Sequence, residues 1–177
     1  IDCLMHFFMF CLAAGEEPFL HDDAVVASAV GKTALHWLKE LVTLCPDGCL
    51  ERNPIQTYQI MADSDRYVYC PFGFGYSQFS REGYVPHPLQ FGGLVRLGDH
   101  RLRSTLGGTG LAISARCRHR AEAAAYARYV ASPDVQRTLY FSSGGQPGHR
   151  AAWTDTEVNR QCRDYFLKTL PTLDAAS

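Results

Sequence analysis

The sequence carries almost no net charge: 17 Lys and Arg stand against 18 Asp and Glu, a formal charge of −1. That balance excludes the basic stripe of a nucleic-acid surface and the acidic tail of a solvating segment. A long apolar run is also missing. The most hydrophobic stretch, Cys3 to Ala14 (CLMHFFMFCLAA), falls short of the roughly 20 residues that span a bilayer. No basic residues precede it, as they would in a signal peptide, and Asp2 stands where Lys or Arg belongs. It reads as a buried helix stopped by Gly15.

Catalytic signatures are scarce as well. Ser114 sits in Ile113-Ser114-Ala115 with no nucleophile-elbow glycine after it. Gly31-Lys32-Thr33 ends like a phosphate-binding loop, but Val26 stands where its first glycine belongs. Gly107-Gly108-Thr109-Gly110 lacks dinucleotide spacing and leads into an apolar segment rather than out of one. The histidines (6, 21, 36, 87, 100, 119, 149) are scattered, with no H-x-H or H-x-x-x-H pair, so neither a metal nor a cofactor is expected. Glu16-Glu17 and Asp22-Asp23 are neighbours in sequence only, and a glycosidase pair is defined by separation in space.

What is present suits a folded core. The chain is 177 residues long and 46% hydrophobic, enough for one solid core or two small ones. Periodicity predicts helices over residues 2–14 and 31–44, the second with Leu35, Leu38 and Val42 on one face. A short helix follows the Asn53-Pro54 break. A further helix spans 119–131, with a stripe of Ala123, Tyr126, Ala127 and Val130. Ser132-Pro133-Asp134 then opens another by capping, first-turn proline and helix dipole. A last helix runs over 155–170 and ends at Pro171. Strands are expected at 67–70, within 89–97 and at 111–114. The alternation suggests an α/β chain. Of the seven cysteines, Cys45 and Cys49 flank Pro46-Asp47-Gly48. This spacing accommodates a small-loop disulfide as well as plain thiols, and an odd count leaves at least one thiol free.

The best binding signal in the residues themselves is Phe72-Gly73-Phe74-Gly75-Tyr76, where aromatics alternate with glycines. Glycine lets the backbone approach a ligand closely, and the C–H face of a sugar ring stacks on an aromatic. A tight turn with its aromatics packed inward gives the same pattern. Arg81 fits either a ligand hydrogen bond or a solvated surface.

The stretch Leu106 to Trp153 is the most distinctive. A glycine loop leads into Leu111–Ser114, an Ala-rich helix follows, Ser132-Pro133-Asp134-Val135-Gln136 starts a second, and Gly144-Gly145-Gln146-Pro147 stops it. This order resembles the C-terminal part of the extracellular solute-binding proteins of ABC importers, in particular their carbohydrate-binding, maltose-binding-like group. The resemblance implies an α/β, helix-rich, periplasmic-binding-protein-like (type II) fold in an incomplete two-lobe architecture. Residues 1–88 and 147–177 would belong to the second lobe, and 89–142 to the returning segment of the first. Most of the first lobe has no counterpart, so the chain is expected to begin in mid-domain.

By that resemblance Glu17 and Phe19 lie in a ligand-touching acid-Pro-aromatic loop. Phe72, Phe74 and Tyr76 replace a Trp-bearing loop, Gly107, Gly108 and Thr109 face the cleft from the other lobe, and Trp153 offers an aromatic wall. The implied partners are a small solute, a sugar by preference, and the importer's permease subunits, with no nucleic acid. The protein would be non-enzymatic and peripheral to the membrane, in a periplasmic or extracellular location. A carbohydrate-active hydrolase, or a small non-catalytic α/β interaction domain, is the alternative.

Overall fold

A computed structural model describes residues 2–176, and of Arg101 the backbone alone. The helices are α1 (Asp2–Ala13), α2 (Ser28–Leu44), α3 (Pro54–Asp63), α4 (Arg120–Ala131), α5 (Pro133–Val135), α6 (Arg150–Trp153), α7 (Thr156–Arg160) and α8 (Tyr165–Asp174). A 3₁₀ turn covers Ser77–Ser80, and a π turn, Gln136–Tyr140, continues α5. Among the described residues strand is confined to β1 (Arg96–Leu97) and β2 (His100–Arg101), an antiparallel hairpin across Gly98-Asp99. The chain is therefore helix-rich, with 48% of it helical.

The helix boundaries follow local chemistry. Gly15, in the left-handed region at φ 96°, stops α1, and its N–H bonds the Leu12 carbonyl. Asn53 and Gln56 open α3 with a reciprocal capping box, each side chain bonding the other's backbone N–H at 2.9 Å. Pro133 occupies the first turn of α5 as expected. The Ser132 hydroxyl does not cap it, however, and instead bonds back to the Tyr129 carbonyl.

Three apolar clusters make the interior. The first joins α1, α2 and Leu102 through Met9, Phe10, Cys11, Ala13 and Ala34. The face of α2 that packs there is Val30, Ala34, Trp37, Leu38 and Leu41; Leu35, expected on the buried face, is mostly exposed. The second gathers Phe141, Trp153, Val158, Cys162, Tyr165 and Phe166 from the C-terminal helices. The third holds Tyr58, Ala62, Phe79 and Val85. Phe91 lies between the last two, its ring 5.1 Å from Tyr58 and 5.0 Å from Tyr165. By contrast, α4 buries no residue fully, and Tyr126 of its expected stripe is exposed.

The strand expected within 89–97 is present in short form as β1, Arg96–Leu97, while those expected at 67–70 and 111–114 are corrected. Residues 67–70, 89–95 and 111–114 are not helical, but none pairs with a neighbour among the described residues. The β-forming character of Tyr67-Val68-Tyr69 is real, yet a strand requires a ladder partner to take its N–H and C=O groups. Without one these segments stay irregular, with Val68 85% exposed and Leu111 60% exposed.

The last expected helix is likewise two. Arg163 and Asp164 both adopt left-handed φ (54° and 60°), breaking the chain between α7 and α8. Pro171 lies inside α8 rather than ending it. The apolar spacing Val158, Cys162, Tyr165, Phe166 stays helical across the break and all four are buried, so periodicity alone hides it. Asn159, 1% exposed, holds the two pieces together. Its amide donates to the Trp153 and Asp155 carbonyls at 2.8 and 2.9 Å, and its oxygen accepts from the Leu167 N–H at 3.0 Å.

Asn159→Ala strands these buried partners, and each unsatisfied group costs about 1–3 kcal/mol. Urea denaturation is expected to show a loss of about 2–4 kcal/mol, while Asn53→Ala, an exposed helix cap, costs about 1 kcal/mol.

Candidate functional site

A cavity of about 430 Å³ opens where α1, α3, α8 and the unpaired segments 68–75, 89–95 and 104–107 converge. Its walls are built from the C-terminal turn outwards. Gly144, at φ 93°, ends the π turn, and the Gly145 N–H returns to the Tyr140 carbonyl. This aims the Gln146 carboxamide at the aromatic segment. Its oxygen accepts from the Ser77 N–H at 2.7 Å and its nitrogen donates to the Gly75 carbonyl at 3.2 Å. Pro147 then accepts the Trp153 indole N–H at 2.8 Å, which sets that ring against Phe166 at 5.1 Å with the cavity beside it.

The start of the same motif has a matching role. Gln136 is 6% exposed. Its side chain donates to the Val130 carbonyl (2.8 Å) at the end of α4 and accepts from the Gly148 N–H (2.7 Å). The sequence Ser-Pro-Asp-Val-Gln followed by Gly-Gly-Gln-Pro is thus a polar clamp: one glutamine ties the two helices and the turn, and the other ties the turn to the cavity wall.

Phe72, Phe74, Gly107 and Trp153, distant in sequence, all line this cavity. Phe72 meets the His6 ring edge-on at 4.7 Å and Phe10 at 6.0 Å. Phe74 stands against Gly107 so closely that a Cβ there would lie 2.6 Å from its ring. The alternating glycines have a different reason from the expected one. At Gly73 an added Cβ would meet the Tyr58 hydroxyl at 2.6 Å, and at Gly75 it would collide with the Tyr165 hydroxyl. What approaches these glycines is a pair of tyrosines of the protein itself.

Other candidates lie elsewhere. Tyr76 leans on Phe74 at 5.6 Å but packs into the third cluster. Gly108 and Thr109 are exposed beyond the cavity lining. Glu17 is exposed, and its neighbour Glu16 holds the loop by accepting from the Ala27 N–H at 2.6 Å and meeting His21 at 3.0 Å. Phe19, at φ 69°, rests on Phe8 at 5.2 Å with most of its ring exposed. Arg81, partly buried, clamps the Phe141 and Gly145 carbonyls, both at 2.8 Å, and covers the Phe141 ring at 3.9 Å.

The residues that sequence reading passed over supply the cavity's polar chemistry: Tyr58, Tyr165, Gln90, Gln146 and Thr172, with Asp2 and His6 at the α1 wall. Burial pushes both phenols above the ordinary tyrosine range, so they remain protonated donors. Burial lowers His6 below its usual value of 6.5, against the pull of Asp2. The imidazole beside Phe72 is therefore neutral at pH 7 and acts as donor and acceptor. A larger depression, about 580 Å³, lies between the end of α1, α2 and the hairpin. It is more open and has fewer polar groups, chiefly Thr33 and His100, so the chemistry favours the first cavity. Among the described residues no group of His, Cys, Asp and Glu is arranged to hold a metal ion. No helix there is long and apolar enough to cross a membrane.

The glycine contacts separate wall from loop. Gly107→Ala and Gly75→Ala must displace Phe74 and Tyr165, while Gly108→Ala meets nothing within 4 Å. Thermal unfolding is expected to fall for the first two, on the order of 1–3 kcal/mol as for overpacked cores, and to stay within about 0.5 kcal/mol for the third.

The chain matches no protein-family model, no curated protein and no solved structure.

Proposed function

We propose that this chain is part of the substrate-binding component of an ABC importer, capturing a small solute, a sugar by preference, for delivery to a membrane permease. One observation carries the reading: aromatic side chains from three separated stretches, Phe72 and Phe74, Phe91, and Trp153, border one cavity beside neutral hydroxyl and amide groups. Aromatic side chains with a few convergent polar groups suit a pyranose, whose C–H face is apolar and whose rim is hydroxylated. The resemblance of residues 106–153 to carbohydrate-binding solute-binding proteins supports the same reading. It also supplies the fold proposal, a periplasmic-binding-protein-like type II architecture of which this chain is an incomplete part, working in a periplasmic or extracellular setting.

On this reading residues 1–88 and 147–177 form one lobe, and 89–142 return from the other. Ligand binds the closed arrangement better and shifts the population towards it. Phe74 stacks on the sugar, Tyr58 and Tyr165 donate to its hydroxyls, and Gly107 admits the Phe74 ring.

A thermal-shift and calorimetric screen against mono- and disaccharides tests the proposal. At least one sugar is expected to stabilise the chain, and Phe74→Ala to weaken that binding about tenfold or more, the usual loss for a stacking anchor. Absence of stabilisation by every sugar removes the sugar assignment. Hydrolysis of any sugar in the panel overturns the transport reading in favour of an enzyme.

A further inference from the structure

Beyond the cavity, the cysteines form an unequal set. Cys11 and Cys162 are fully buried, and Cys70 donates its thiol to the Phe72 carbonyl at 3.3 Å. Cys3 is exposed on α1 and Cys117 is partly exposed in the loop before α4. Cys45 and Cys49 differ from these because the backbone turns back on itself between them. Cys45 ends α2, its N–H bonding the Val42 carbonyl. The Cys49 N–H closes a turn onto the Pro46 carbonyl at 3.2 Å, and Gly48 supplies the left-handed residue at φ 75°. Arg52 fastens the outside of that turn by donating to the Asp47 carbonyl at 3.2 Å. Both cysteines are partly exposed. Burial, then the neighbouring Cys49 thiol and last Cys70 push the Cys45 thiol up.

We propose that Cys45 and Cys49 are a dithiol–disulfide pair, closed across the Pro46–Cys49 turn at the end of α2, with Cys70 outside the pair. The Cys49 N–H bond to the Pro46 carbonyl reverses the chain between the two thiols and turns them towards each other, as closure of so short a loop requires. A zinc site is disfavoured because no third ligand is placed to complete one among the described residues. Closure needs an oxidant, here a low-molecular-weight disulfide such as oxidised glutathione. One thiolate attacks it and releases one thiol; the second thiolate then displaces the other from the mixed disulfide. Two S–H bonds are lost, one S–S bond forms, and the donor disulfide is reduced to two thiols. The closed form ties the end of α2 to the segment leading into α3.

Tryptic peptides report the pair directly. Cleavage after Lys39 and Arg52 gives one peptide holding both cysteines, whereas Cys70 falls in the peptide from Tyr67 to Arg81. The folded chain is equilibrated in excess oxidised glutathione, alkylated with iodoacetamide, digested and weighed. The 40–52 peptide is expected mainly unalkylated and lighter than its dithiol form by two hydrogens. Excess reduced glutathione should restore two alkylation sites. Double alkylation under oxidising conditions, a glutathione adduct in place of closure, or linkage to the 67–81 peptide each overturns the proposal. Cys70→Ser is expected to leave the closed peptide unchanged.

Discussion

The Gln146 carboxamide is the interaction on which the cavity depends. It spans about 70 residues of sequence to join the turn after the π segment to Gly75 and Ser77. The segment it holds has no strand partner, so its backbone groups must be satisfied by side chains. Gln146 supplies both a donor and an acceptor from one planar group, which fixes the segment's direction as well as its position. The two glycines between and after Phe72 and Phe74 then sit against the Tyr58 and Tyr165 hydroxyls.

The same device recurs through the C-terminal half. Gln136, Arg81, Asn159 and Trp153 each bond backbone groups of other elements through their side chains. In a sheet protein the ladders would do this. Here the segments 67–70 and 111–114 have β-forming sequences and exposed apolar side chains but no ladder, and side-chain clamps with aromatic edge contacts hold the interior together. That arrangement concentrates stability in a few buried polar groups, whose loss leaves partners unpaired in low dielectric.

The helices were legible because their signals are local. Gly15, Asn53-Pro54 and Pro133 set boundaries by their own backbone chemistry. Of the strands, the one expected within 89–97 forms only as Arg96–Leu97, and those at 67–70 and 111–114 do not, because pairing is decided by what lies alongside and β propensity only permits it. The break at Arg163-Asp164 was hidden by an apolar spacing that runs straight across it. At the site, the aromatic-glycine alternation reads as a ligand-binding signal or a tight turn, and in the structure the groups that approach its glycines are tyrosine hydroxyls of the protein. Glycine spacing announces that something comes close; it does not say whether the visitor is a ligand or the Tyr58 and Tyr165 hydroxyls. Glu17 stood out by its place in a motif, yet its neighbour Glu16 makes the contacts. The glutamines escaped notice because a polar residue in a turn looks solvated until its distant partners are seen.

Amide hydrogen exchange in Gln146→Ala tests the central claim most directly. If the carboxamide holds the cavity wall, the Ser77 amide loses protection about tenfold or more, as expected for losing a hydrogen bond worth about 1.5 kcal/mol. Amides in α2, which contributes no residue to the cavity lining, should keep theirs. Unchanged protection at Ser77 in a folded variant would contradict the account.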